Sequence, residues 1–145
     1  MYGDSTVIRA LATDLREQAA DIVTEADALV GQADECPWSG RAADAMRRRS
    51  RERAAALRRS AWRHLDAAEA LERHAAEIDR VKDLIAALEQ KALGLVTAAR
   101  DRLGDLVAGA RELVGDRADD LLDRFVPPPS GHHDWLDVDL PGLLR

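Results

Sequence analysis

Aromatic side chains are scarce in this chain of 145 residues, and alanine and leucine take their place. Only five aromatic residues occur, against 27 alanines and 19 leucines: Tyr2, Trp38, Trp62, Phe125 and Trp135. Alanine, leucine, arginine and glutamate favour helices, whereas sheets are enriched in β-branched and aromatic residues. The composition therefore predicts an all-α fold. It also argues against a deep substrate pocket walled by large side chains.

Several other sequence features are missing, and each absence excludes a class of structure or function. Cys36 is the single cysteine, so no internal disulfide can form, and no Cys/His spacing resembles a zinc site. No run of 18 apolar residues occurs, which predicts no membrane span. The N-terminal segment carries acids where a secretory signal has a basic start. We find no phosphate-binding loop and no catalytic triad, so we predict a protein that is not an enzyme and uses no cofactor.

Charge is distributed unevenly along the chain, although the formal net charge is −6. Residues 1–40 carry a net charge of −6, whereas residues 41–63 hold nine arginines and a net charge of +7. An arginine cluster can contact nucleic-acid phosphates. Because the acids of the first segment can pair with these arginines, we expect intramolecular or intermolecular helix pairing instead. A cytosolic nucleic-acid-associated or scaffold protein using Arg41–Arg63 is the alternative.

The first 35 residues have the apolar spacing of an amphipathic helix. Asp4 and Ser5 are candidate N-caps. An apolar line then follows in steps of three and four residues, which places its members on one face: Ile8, Leu11, Leu15, Ala19, Ile22, Ala26 and Leu29. Pro37 disfavours helical geometry at Cys36, so the pattern predicts a turn over residues 36–40.

A second helix is predicted to begin just after Gly40. Its seam reads Leu57, Ala61, His64, Ala68, Leu71, Ala75 and Ile78. No proline follows until Pro127, so we predict helices over 41–92 and 95–125 that meet near Gly94, or one long kinked helix. We divide the chain into a hairpin of residues 1–92, an amphipathic helix of 93–126 and a Pro-rich, disordered tail of 127–145. Within that tail, Trp135, Leu136 and Leu140 could dock on a groove.

The turn fixes which residues of the two helices should face each other. If the chain reverses at Trp38, residue i lies opposite about 76 minus i, and the acids Asp21 and Glu25 then face the segment that contains Arg51 and Arg53. We expect these charges to set the register while the Ala/Leu seam supplies stability. At the turn, Trp38 should cover the open end of the hairpin, Ser39 should cap the second helix, and Gly40 should supply a positive φ.

Trp38-Ser39-Gly40 at a hairpin turn, followed by the Ala-rich segment 41–46, resembles the WXG100 superfamily. Residues 61–78 are also similar to the second helix of such modules, and the resemblance covers about residues 5–90, with a C-terminal extension beyond it. These small helical proteins are secreted by type VII systems of actinobacteria and related bacteria. The resemblance implies secretion or surface display by that route after a cytoplasmic stage. It also implies pairing with another WXG100-like hairpin or a second copy, and contact with the secretion machinery.

The chain departs from the WXG100 pattern at the secretion signal. Family members carry, or borrow from a partner, Tyr-x-x-x-Asp/Glu near the end of the second helix, but the single tyrosine here is Tyr2. His74 stands near that position and is followed four residues later by Ile78, not by an acid. We therefore expect a partner to carry the signal if the protein is exported.

Two further features of the sequence could bind a metal ion or a membrane. His132, His133 and Asp134 lie in the predicted flexible tail, so we expect no metal function there. The segment 93–126 could lie on a membrane surface, but its aspartates favour packing in a helical bundle.

Overall fold

The computed structural model describes residues 3–108, 121–140 and 142–143. It is helical, with no strand among those residues, and thereby confirms the all-α prediction. Helix α1 spans Ser5–Glu35, helix α2 spans Arg41–Ala108, and a short 3₁₀ helix spans His133–Leu136. The chain forms two compact units, one of Asp4–Glu77 and one that begins at Ile78.

Helix α1 begins and ends where its local sequence predicts. The Asp4 carboxylate accepts a hydrogen bond from the Thr6 backbone N–H at 2.9 Å, which satisfies one of the free donors of the first turn. The helix ends at Glu35, because Pro37 forces the preceding Cys36 into an extended conformation with ψ of 123°.

Helix α2 continues through Gly94 and Gly104, so the prediction of separate helices over 41–92 and 95–125 is wrong as far as Ala108. The continuous-helix alternative describes this stretch, and residues 109–120 lie outside the described part of the chain. A glycine costs a helix only about 1 kcal/mol relative to alanine. Ala92, Val96 and Ala99 around Gly94 are all buried, and their packing offsets that cost.

The core of the Asp4–Glu77 unit is a seam of alanines. Eight of them are almost fully buried and recur every seven residues within each helix, at Ala12, Ala19, Ala26 and Ala33 of α1 and at Ala54, Ala61, Ala68 and Ala75 of α2. Ala43 is also buried but lies outside this series. Such a small side chain at each repeat lets the two backbones approach closely. Most of the larger predicted seam residues are only half-buried, namely Ile8, Leu15, Ile22, Leu29, Leu57 and Leu71. Leu11 is 50% exposed and does not belong to the seam.

The unit that begins at Ile78 has a different core, and it corrects the prediction of a disordered tail. Ile85, Leu88 and neighbouring residues of α2 pack with buried residues of the C-terminal segment, namely Leu122, Trp135, Leu140 and Leu143. The C-terminal segment runs back along α2, so that Arg100 Nε donates to the Asp123 carboxylate at 3.2 Å. Trp135 and Leu140 are buried as the docking prediction required, and Leu136 is partly buried. The described part of 127–145 is therefore packed against α2.

Candidate helix-pairing face

The ion pairs between α1 and α2 set a register different from the predicted one. Arg51 donates to the Asp34 carboxylate at 2.9 Å, and Arg58 donates to Asp27. In each pair the two residue numbers add to 85, whereas a reversal at Trp38 would make them add to about 76. About nine residues at the start of α2 therefore extend beyond the end of α1.

Residues 36–40, which we call the linker, connect α1 to α2 and explain this offset. The linker is not helical, and Arg47 holds its backbone. Arg47 Nη2 donates to the carbonyl oxygens of Cys36 at 3.0 Å and of Trp38 at 2.9 Å. Arg47 stands seven residues before Ala54, at the next position of the alanine series, where α1 has already ended. Its long side chain therefore reaches the linker instead of a facing helix. The sequence carries no signal for this role, because Arg47 stands in a run of arginines whose pattern indicates only charge.

The Trp38-Ser39-Gly40 motif is present at the reversal, but its residues act differently from the prediction. Trp38 is 65% exposed, so it does not cover the open end of the hairpin. Gly40, not Ser39, occupies the N-cap position, and its carbonyl oxygen accepts from the Asp44 N–H at 3.1 Å. Gly40 has φ of 94°, as the motif requires.

The predicted charge pairing holds only in part. Arg51 pairs across the hairpin, but Asp21, Glu25 and Arg53 make no ion pair within the described residues. A further bridge has the opposite polarity, since Arg16 of α1 donates to Glu72 of α2 at 3.1 Å. The difference of about nine residues in register accounts for these changes, because it moves each acid past its expected arginine.

Seven half-buried residues of the hairpin, spaced at seven-residue intervals within each helix, define what we call the apolar face. On α1 they repeat every seven residues, at Ile8, Leu15, Ile22 and Leu29, and on α2 they repeat likewise at Leu57, His64 and Leu71. Each stands three residues after or four before a buried alanine, so each helix presents one continuous stripe. Leu29 and Leu57 line the same groove, which places the two stripes on the same side of the hairpin.

The groove at the turn end of the apolar face combines apolar and basic side chains. It is open, with a volume of about 450 Å³, and is lined by Leu29, Ala42, Ala45, Met46, Arg49, Ser50 and Arg53. Neither Arg49 nor Arg53 makes an ion pair with any described residue, so both guanidinium groups are free to meet an incoming carboxylate. His64 in the middle of the face donates from Nδ1 to the Ser60 carbonyl oxygen at 2.9 Å.

This arrangement is suited to binding another helix. A stripe of aliphatic side chains on two adjacent helices matches the ridges and grooves of a facing helix pair. Within the described residues, no helix is long and apolar enough to cross a membrane. No buried side-chain nitrogen or oxygen in that part of the chain lacks a hydrogen-bond partner, so no unsatisfied polar group points to a buried ligand.

Comparisons with known proteins add no relative. No protein-family model matches the sequence, and no curated protein or solved structure is significantly similar to it. The interpretation of the apolar face therefore depends on its own geometry.

Proposed function

We propose that this is a non-enzymatic WXG100-like protein that acts by pairing its hairpin with a second helical hairpin. The observation that carries the proposal is the apolar face. Seven side chains of α1 and α2 form two stripes on one side of a helix pair that has only an alanine seam as its core. Because alanine buries little area, a partner that covers the stripes would add most of the hydrophobic stabilisation.

The size of the face fits a specific interface. From Ile8 to Leu29, α1 rises roughly 32 Å at 1.5 Å per residue. Two adjacent helices of this length, with axes about 10 Å apart, then present a face with an area of roughly 600 Å² to a partner. A partner of equal size gives about 1,200 Å² in total, at the lower end of specific protein interfaces.

The partner should be a helical hairpin with carboxylates near its own apolar stripe. Arg49 and Arg53 border the groove and form no ion pair within the described part of the chain, so acids on the partner would meet them. Pairing of this kind supports a role as a substrate of, or partner in, a type VII secretion system. Since the chain has no Tyr-x-x-x-Asp/Glu motif, the partner would also supply the export signal.

Pairing is tested with Ile22→Asp combined with Leu71→Asp. The matched control is Ala10→Asp combined with Ala70→Asp, which adds the same charges at exposed helical positions. We expect the full chain to form a complex with a short W-x-G protein encoded beside it, or with itself, as measured by sedimentation. The face variant should lose that complex and the control should keep it. A monomer that binds neither, or equal behaviour of the two variants, contradicts the proposal.

Export is tested separately, by comparing the culture medium of cells with and without a working type VII apparatus. The expected result is release that needs both the apparatus and the apolar face. Release that continues without the apparatus would exclude the secretion role but leave helix pairing intact.

A second candidate function follows from the arginines of α2. Six of them make no ion pair among the described residues, namely Arg41, Arg48, Arg49, Arg53, Arg59 and Arg63. A nucleic-acid-associated protein would use them for phosphate contacts, and its retention on DNA would fall steeply with salt. Salt-independent behaviour on a DNA column, together with helix pairing, favours the first function.

A further inference from the structure

The C-terminal segment brings three metal-binding side chains together outside the apolar face. His132, His133 and Asp134 offer donor atoms that all lie within 4.8 Å of one another. His132 Nδ1 is 3.1 Å from Asp134 Oδ2, and His133 Nε2 is 3.0 Å from Asp134 Oδ1. Donors bound to one metal at about 2.0–2.2 Å stand about 3 Å from each other. The two nitrogen–oxygen spacings therefore match those within a coordination shell, each to a different oxygen of Asp134, and rotation of the two imidazoles would bring all three side chains to one ion.

The segment that carries these donors is fixed to α2, unlike the disordered tail expected from the sequence. Trp135, directly after the cluster, is 1% exposed, and its indole N–H donates to the Pro129 carbonyl oxygen at 3.0 Å. The backbone N–H of Gly131, just before the cluster, donates to the Glu89 carboxylate at 3.1 Å. The two anchors hold the donors in place before any ion binds, which lowers the entropic cost of binding.

The contacts inside the cluster favour a cation. His132 Nδ1 accepts the Asp134 backbone N–H at 3.4 Å as the cap of the 3₁₀ helix. The same nitrogen lies 3.1 Å from Asp134 Oδ2. A cation shared between this nitrogen and the carboxylate oxygen would interact favourably with both atoms.

We propose that His132, His133 and Asp134 form a surface site for a late first-row divalent cation such as Zn²⁺. Two imidazoles and one carboxylate are ligands that such ions accept, and water completes the coordination. The half-exposed donors leave the remaining positions open to solvent. Because protons compete for the imidazole nitrogens, binding should weaken as the pH falls.

The test is a calorimetric titration of the full chain with ZnCl₂, repeated with CoCl₂ to record the visible spectrum of the bound cobalt. The variants are His132→Asn, which keeps a residue able to cap the 3₁₀ helix, and His133→Gln. The matched control is His74→Gln, which removes the exposed histidine of α2. Circular dichroism and tryptophan fluorescence check that each variant stays folded.

We expect one saturable site per chain that weakens at least about tenfold in either tail variant, since even the loss of an outer-shell partner costs about that much. The α2 control should bind as the unchanged chain does. An unchanged chain without saturable binding, or tail variants that bind equally well, would overturn the proposal. Loss of binding in the control alone would also overturn it, because it would place the ion on α2.

Discussion

Arg47 Nη2 donates to the carbonyl oxygen of Trp38 at 2.9 Å, and it also reaches the carbonyl of Cys36. The tryptophan of the turn thus takes part in the fold through its backbone, while its indole is mostly exposed. The side chain that holds the reversal belongs to the second turn of α2. The indole itself is exposed to solvent.

Replacing Arg47 by methionine should destabilise the hairpin. The change keeps most of the aliphatic stem but leaves two linker carbonyls without their charged donor, and we expect a loss of about 1.5 kcal/mol in the free energy of unfolding. Urea denaturation followed by circular dichroism measures it. Arg48→Met, at the exposed neighbouring position without an ion pair, should change the stability by less than about 0.5 kcal/mol. Equal effects would show that Arg47 does not hold the linker.

Enlarging an alanine of the seam should be costly even though leucine is a good helix former. Ala68 is 0% exposed, so Ala68→Leu must push the two helices apart, and overpacking of this kind costs about 1–3 kcal/mol. The comparison is Ala70→Leu, two residues away and exposed, which should be nearly neutral. Thermal melts of both variants measure the difference, and a neutral Ala68→Leu would contradict the close packing of the seam.

Replacing Gly40 and replacing Gly31 by alanine should change the free energy of unfolding in opposite directions. Gly40 has φ of 94°, which strains a residue that carries a Cβ, so Gly40→Ala should lower the free energy of unfolding by about 1–2 kcal/mol. Gly31 lies inside α1 with open space around its Cβ position, and Gly31→Ala should raise stability by about 0.5–1 kcal/mol. Chemical denaturation of the two variants measures both changes in the free energy of unfolding. A stabilising Gly40→Ala would mean that the linker adopts another conformation.

Trp135→Ala should unfold the C-terminal segment from α2. The side chain is almost fully buried and its N–H is bonded, so removal should cost about 3–5 kcal/mol. Trp62→Ala is the control, because Trp62 is 68% exposed. Hydrogen exchange of the amides from Leu122 to Leu140 reports the loss directly. Unchanged protection in Trp135→Ala would show that the tail is held by other contacts.

Much of the fold could be predicted from local sequence. Asp4, Pro37 and Gly40 each act through their own backbone, so the bounds of α1 and the start of α2 follow from nearby residues. The continuation of α2 past Gly94 could not be predicted in this way, because it depends on Trp135 and other residues more than 30 positions away. The same distant packing explains why the tail is ordered.

The candidate site was predictable in its chemistry but not in its geometry. The stripe from Ile8 to Leu29 is visible in the sequence as a seven-residue repeat, and its large apolar side chains predict the seam between α1 and α2. The seam of the structure is also visible in the sequence, as alanines at Ala12, Ala19, Ala26 and Ala33. The choice between the two stripes requires knowing how closely the helices approach, which no local pattern states. The register of the two helices, and therefore the ion pairs between them, depends on that choice.

The alanine seam also limits how this protein can diverge. Each repeat already carries nearly the smallest side chain, so drift at those positions can accept little besides glycine or serine, and glycine weakens the helix. The exposed positions of α1 and α2 have no such limit and can accept many different side chains. Descendants of this chain should therefore share an eight-position alanine pattern long after their overall identity has faded, and that pattern is a means of finding them.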